Sequence, residues 1–314
     1  MLAAKENKML KNIVESVKSQ ISDHVLNQDA ITELALAAFF AGGHILLSGP
    51  TGLGKTQWAQ AFAGALGLSF GCERFFKNSI PQDFFGTYSF DHESNQFNSR
   101  PGTFSSQVFQ ADEIDNTHPW IHSFIMDAID RQKNSLTYAD QSYTLPEPHF
   151  VIATLDETVN LPKVLVDRFT MKLYVNYPGI AAEKQILQMH HVGTTPETES
   201  MPVCTPESIA QAKQEVQAIT VEDAVFNYIV SIAETTRRIG VIQTGASTRA
   251  SISLLQVAKA YAAINGRDYV TIDDVRSLAI PVLRHRITLR PDAVKQGVQA
   301  DNIIESIIVG KRML

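Results

Sequence analysis

The chain has 314 residues, 44% of them hydrophobic and 19% charged, with a formal net charge of −6. Single hydrophobic cores stop growing near about 250–300 residues, so the length predicts two domains, and the ordinary apolar content excludes disordered and fibrous classes. The acidic balance, 33 Asp and Glu against 27 Lys and Arg, argues against a protein whose main task is coating nucleic acid, although it permits a local basic groove. Cys72 and Cys204 are too sparse and too distant for a metal cluster or a disulfide scaffold, and read as reduced thiols of a cytoplasmic protein. The first twelve residues are charged and lack an apolar centre, so no signal peptide is expected. Leu34 to Gly54 carries no formal charge, but Gly42, Gly43, His44, Ser48, Gly49 and Pro50 break it up, so no membrane insertion is expected.

Helical spacing of Leu10, Ile13, Val14 and Val17 predicts a helix over 8–22, more in keeping with docking on the core than with a membrane anchor. A second helix over 28–41 is closed by Gly42 and Gly43. His44–Ser48 reads as a short buried strand, followed by a glycine-rich turn and a helix from Lys55 to Leu66, which together make half of a βαβ unit. Further strands are expected at Val108–Ala111, His149–Thr154 and Phe169–Val175, with helices at 118–131, 162–167 and 179–191. Alternating strands and helices predict an α/β core with a mostly parallel sheet. Residues 192–204, rich in Thr, Pro and Glu, read as a linker. Beyond it every segment looks helical: 206–217, 221–238, 247–264 and 272–285, with Asp223, Ser247 and Thr271 as helix starts, and a last packing helix around Ile303, Ile304, Ile307 and Ile308. The division is therefore an α/β core at 1–191, a linker at 192–204 and an all-helical second domain at 205–314.

Gly49-Pro50-Thr51-Gly52-Leu53-Gly54-Lys55-Thr56 fits the phosphate-loop pattern G-x-x-x-x-G-K-[ST] in full and sits between a strand and a helix. Glycines let backbone N–H groups turn around phosphate oxygens, and the helix N-terminus adds the positive end of its dipole. Lys55 would reach the β- and γ-phosphates of ATP, and the Thr56 hydroxyl would ligate Mg²⁺. Asp112 and Glu113 follow an apolar strand, at the edge where open parallel sheets bind ligands. Asp112 would hold the Mg²⁺, and Glu113 would orient and polarise the attacking water.

Together these residues resemble the AAA+ ATPases, and within them the MoxR group, in a P-loop NTPase core with a helical lid. Val25-Leu26-Asn27-Gln28 is similar to the family's adenine-side V-x-G-Q segment, with Asn27 in place of glycine. Gly43-His44-Ile45-Leu46-Leu47 and the loop resemble GHxLLxGxPGxGKT, with Thr51 in place of proline. Pro81-Gln82-Asp83-Phe84-Phe85-Gly86, Pro101-Gly102-Thr103-Phe104, Phe150–Thr154, Leu165–Phe169 and Gly245–Ala250 resemble further family motifs in the family's order. The resemblance implies that Arg168 is an arginine finger offered to a neighbouring subunit's ATP, that Arg249 is a sensor-2 arginine reading the phosphate of its own subunit, and that Asp156 occupies the sensor-1 position. Taken alone, Arg168 reads more readily as a surface charge or ion pair than as a finger.

Two departures stand out. Thr154-Leu155-Asp156-Glu157 replaces the family's T-Q-N-P, so an ionised Asp156 beside Glu113 and a triphosphate adds like charge and predicts slow hydrolysis. Asp115-Asn116-Thr117 replaces N-R-A and lacks its basic residue. Segments 88–100 and 135–143 read as hairpins or plain loops; in the resembling family such hairpins face the ring pore. His190-His191 and His118 with His122 lack zinc-site spacing, and Arg284-His285-Arg286 with Arg290 reads as a lid surface or subunit contact. The resemblance implies Mg²⁺-dependent ATP hydrolysis by a homo-oligomeric, hexameric ring that remodels a client protein, alongside a von Willebrand factor A-domain partner. The alternatives are an ATP-held assembly switch with very slow turnover and, disfavoured by the net charge, a nucleic-acid motor.

Overall fold

The protein is described from a computed structural model covering residues 3–26, 28–80, 84, 86–91, 96–130, 135–138, 141–156, 161–191 and 201–310. Asn27, Pro81-Gln82-Asp83, Phe85, Ala139-Asp140, Glu157 and most of the expected linker, 192–200, lie outside the described residues. Helices α1 (Ala3–His24) and α2 (Asp29–Phe40) lead into β1 (Ile45–Ser48), α3 (Lys55–Ala65) and β2 (Phe70–Arg74). A hairpin of β3 (Gly86–Asp91) and β4 (Gln96–Pro101) precedes β5 (Val108–Asp112) and α4 (Pro119–Ala128). A second hairpin, β6 (Ser135–Tyr138) and β7 (Gln141–Thr144), precedes β8 (Phe150–Leu155), α5 (Lys163–Val166), β9 (Met171–Tyr174) and α6 (Ile180–His191). The C-terminal part comprises α7 (Pro206–Ala218), α8 (Asp223–Arg238), β10 (Ile242–Thr244), α9 (Thr248–Ile264), α10 (Ile272–Leu283), β11 (Thr288–Leu289), α11 (Pro291–Lys295) and α12 (Ala300–Gly310).

Five strands form one parallel sheet in the order β2-β5-β8-β1-β9. The central strands are continuous apolar runs because both faces are covered. Ile45, Leu47, Val108, Ile152 and Met171 face α1, α2 and α3, whereas Leu46, Phe109, Ala111, Val151 and Ala153 face α4. β2 escaped the sequence reading: with Gly71, Glu73 and Arg74 in five residues it has the weak propensity of an edge strand. Parallel pairing puts all strand C-termini on one edge of the sheet. Ser48 stands level with Leu155 and Tyr174, while the other edge carries the residues that precede each strand.

The C-terminal helices share their apolar core with the sheet. Leu10, Val14, Val17 and Ile21 of α1 and Leu36 of α2 join Leu254 of α9 and Leu278 of α10 in one cluster. Ser247 caps α9 and Thr271 forms a capping box with Asp274 at α10, as their positions suggested. Arg284-His285-Arg286 is not the expected surface. Arg286 is fully buried and donates to the carbonyl oxygens of Phe169 (2.7 Å), Thr170 (3.3 Å) and Val282 (3.2 Å) and to Ser253 Oγ (2.9 Å). His285 Nε2 donates to Phe169 O at 3.0 Å, and Arg284 pairs with Asp301 (2.6 Å) and lies 4.3 Å above the Tyr174 ring. The turn from α5 to β9 leaves carbonyl groups without a strand or helix partner. Arg286 and His285 satisfy them, so the cluster is the joint between lid and core.

Candidate active site

The phosphate loop leaves β1 at the C-terminal edge. Gly49 has φ +151°, and a Cβ there would lie 2.4 Å from Val175 O, so the close approach of β9 demands glycine. Gly54 (φ 72°) caps α3 with no side-chain hydrogen bond, leaving the first-turn N–H groups for an anion. Lys55 Nζ donates to Gly49 O (2.7 Å) and Pro50 O (2.9 Å). Burial lowers the Lys55 pKa, against the opposing pull of Asp112, Asp156 and Glu113. Thr51, Gly52, Lys55, Thr56 and Asp156 line a cleft of about 440 Å³ together with Asp112 and Glu113.

The floor of that cleft is a hydrogen-bonded chain between strand ends. Gln110 Nε2 donates to Thr56 Oγ1 (2.9 Å) and to Asp112 Oδ1 (3.1 Å). Thr154 Oγ1 donates to the same Asp112 oxygen at 2.6 Å and accepts from Glu113 N at 2.9 Å. Glu113 is the one non-glycine residue with positive φ (54°) among the described residues, a costly conformation that raises its side chain from the strand end. Its carboxylate pairs with Arg74 at 2.6 Å, and this bond raises the Arg74 pKa. Thr56 and Asp112 offer hard oxygen donors of the kind Mg²⁺ prefers, so the residues fit that ion.

An apolar slot of about 210 Å³ opens beside the loop, sharing Gly52, Gly54 and Gln57 with the phosphate cleft. Val25, Leu26 and Gln28 form one wall and Ile186 and Met189 of α6 another, which suits a flat heterocycle. Gln28, which the V-x-G-Q resemblance assigns to the adenine side, lines this slot.

Arg168 and Arg249 stand elsewhere. Both line a second cleft of about 430 Å³, with Asp130, Thr170 and Ser253, and this cleft shares no lining residue with the first. Arg168 Nη1 donates to Met126 O (2.8 Å) and pairs with Asp130 (3.2 Å), while Arg249 pairs with Asp167 (3.2 Å). Arg168 precedes β9, and Thr170 N bonds His44 O just before β1, so this cleft opens at the amino edge of the sheet. A strand rises about 3.3 Å per residue, so the four residues of β1 separate the two edges by more than an arginine reaches. The expectation that Arg249 reads its own subunit's phosphate does not fit this placement. The lid packs behind the sheet, which carries the arginine to the Arg168 side.

Several residues of these clefts escaped the sequence reading. Arg74 lies on the unrecognised edge strand. Gln110 is hidden in an apolar run, and Thr154 reads as one more strand residue. Asp167 gains meaning only from its partners Arg249, Ser247 (3.3 Å) and Arg286 (3.6 Å), all distant in sequence.

Residues 44–171 match the family described as ATPase family associated with various cellular activities (AAA), and residues 235–307 match the AAA lid domain. The chain is 35% identical to YeaC of Bacillus subtilis over 283 residues, covering 88% of each chain. It is 28% identical to chaperone MoxR1 of Mycobacterium tuberculosis, covering 90% of this chain and 78% of that one. A crystal structure from Cytophaga hutchinsonii, assigned as an ATPase, superposes with a TM-score of 0.88 at 28% identity, covering 97% of this chain and 96% of that one.

Proposed function

From its membership of the MoxR-type AAA+ ATPases, we propose that this chain hydrolyses ATP to ADP and phosphate between the subunits of a ring, hexameric in the resembling family, and spends the energy on remodelling a client protein. One observation carries the reading: the cleft with the phosphate-binding groups and the cleft with the arginines lie on opposite edges of one chain, so a complete site needs two copies. The loop N–H groups and Lys55 bind and orient the triphosphate, with the base in the Gln28 slot. Thr56 and Asp112 would hold Mg²⁺, which when bound spreads the phosphate charge. Glu113 takes up a proton from water as the water attacks, and for this its carboxylate must leave Arg74. Arg168 and Arg249 of the neighbour would face the charge growing on the γ-phosphate. The chaperone name of the mycobacterial relative supports a protein client, and a von Willebrand factor A-domain protein is the partner to test first. The two hairpins, β3–β4 and β6–β7, stand outside the main sheet and are the candidate client contacts. Among the described residues no helix is long and apolar enough to cross a membrane, and action in the cytoplasm belongs to the same proposal.

The test is single-turnover hydrolysis by wild type and Glu113→Gln. Loss of about 10²–10⁴-fold, with ATP binding retained, is expected for a base acting on water. Equal rates would remove Glu113 from the chemistry. A second reading, a switch that holds ATP and turns over slowly, is favoured by Asp156 lining the cleft and by the Arg74–Glu113 pair. Asp156→Asn is then expected to raise turnover about fivefold, the kinetic equivalent of roughly 1 kcal/mol. An unchanged or lower rate would remove Asp156 as the brake.

A further inference from the structure

We propose that Gln110 is a positioning residue for the divalent cation, an inference that rests on the Mg²⁺–nucleotide reading of the same cleft. Gln110 sits in β5 among Val108, Phe109 and Ala111, all of them fully buried. An amide in that place costs stability unless its groups are bonded. Both of its N–H bonds go to the two residues that would hold the metal, Thr56 Oγ1 at 2.9 Å and Asp112 Oδ1 at 3.1 Å.

The orientation of the amide follows from its partners. Asp112 Oδ1 accepts only, and already takes the Thr154 hydroxyl proton at 2.6 Å, so the NH₂ end of Gln110 must face it. The second N–H then makes Thr56 Oγ1 an acceptor, leaving that hydroxyl another lone pair for a cation. One planar donor thus ties an oxygen in the first turn of α3 to an oxygen at the end of β5. These two elements must keep register for a cation to bind both. The other end of the amide gains nothing, because Oε1 is buried with no partner among the described residues. An apolar side chain would fill this space without leaving an acceptor unpaired, so stability alone does not account for the amide.

The experiment is a Mg²⁺ titration of fluorescent ATP-analogue binding to the full-length protein, for wild type, Gln110→Met, Gln110→Leu and Asp112→Asn. Groups that hydrogen-bond to a metal's ligands are typically worth about 10–100-fold in metal affinity, so both Gln110 variants are expected to need about tenfold more Mg²⁺ for half-maximal binding. Their affinity in EDTA and their melting temperature without nucleotide are expected to match wild type or exceed it. If both variants titrate as wild type while Asp112→Asn shifts, Gln110 has no such role and the metal reading stands. If Asp112→Asn also titrates as wild type, the metal reading itself fails and takes Gln110 with it. If neither variant melts cooperatively, Gln110 serves the fold, and the proposal is overturned.

Discussion

At the carboxyl edge of the sheet, the phosphate cleft is closed by residues from strand ends and one loop: Gln110 bridges Thr56 and Asp112 at 2.9 and 3.1 Å, and Thr154 donates directly to Asp112 at 2.6 Å. At the amino edge, the arginine cleft is assembled from pieces far apart in the chain, with α4 supplying Met126 O, the α5–β9 turn supplying Asp167, and the lid supplying Arg249 and Arg286. The first cleft depends on local geometry and would keep its shape if the lid moved. The second exists only while the lid stays docked. The proposed function therefore implies that binding and hydrolysis are separable, since the groups that would grip phosphate are independent of the groups that would stabilise its transfer.

Mixing experiments break this comparison most directly. Arg168→Ala is expected to lose hydrolysis by about 10³-fold or more, the worth of an arginine finger, while binding ATP normally. Arg249→Ala is expected to show the same pattern. Adding Lys55→Ala subunits, themselves unable to bind phosphate properly, should restore turnover to either arginine variant, because an interface can then pair an intact loop with an intact arginine. Wild-type turnover in Arg168→Ala would end the finger assignment. Failure of Lys55→Ala to rescue Arg249→Ala alone would return that arginine to its own subunit.

A smaller effect is expected at the joint. Arg286→Leu removes the donor to Thr170 O, one of the two donors to Phe169 O and one of the two arginine partners of Asp167, and removing one member of a buried charged set costs about 3–5 kcal/mol. Thermal melting should register that loss. ATP binding at temperatures where the variant stays folded should match wild type, because Arg286 is not among the residues that line the phosphate cleft. Weakened ATP binding at such temperatures would show that the clefts are coupled.

The phosphate cleft was legible because its signals are short: eight consecutive residues specify the loop, and Asp112-Glu113 follows an unmistakable apolar run. The strands β1, β5, β8 and β9 were legible for the same reason, since burial on both faces writes itself as consecutive apolar residues. Arg74 was not, because edge strands need not be apolar. Arg284-His285-Arg286 was misread because charge usually means solvent, and only the turn's carbonyl groups reveal why His285 and Arg286 are drawn inward. Arg249 was recognisable by family resemblance, but which edge of the sheet it serves depends on where the lid docks. That docking is set by α1 and α2 packing against α9, and no local pattern encodes it.

The smallest expected effect uses pH to loosen one cleft and spare the other. Burial pushes the His285 pKa well below its ordinary value, and the nearby charges of Arg286, Lys172 and Arg284 act in the same direction, although the bond to Phe169 O opposes them. The unfolded chain therefore takes up a proton near pH 6.5 that the folded joint refuses. Stability from this group is present above that pH and is lost as pH falls below it, by at most roughly 1.4 kcal/mol per unit. His285→Gln keeps an N–H for Phe169 O and cannot titrate, so its melting temperature should fall less than that of wild type on acidification. No histidine lines the phosphate cleft among the described residues, so the variant and wild type should keep matching ATP affinities across that range. Parallel melting curves for the two proteins would show that His285 is not the group that refuses the proton.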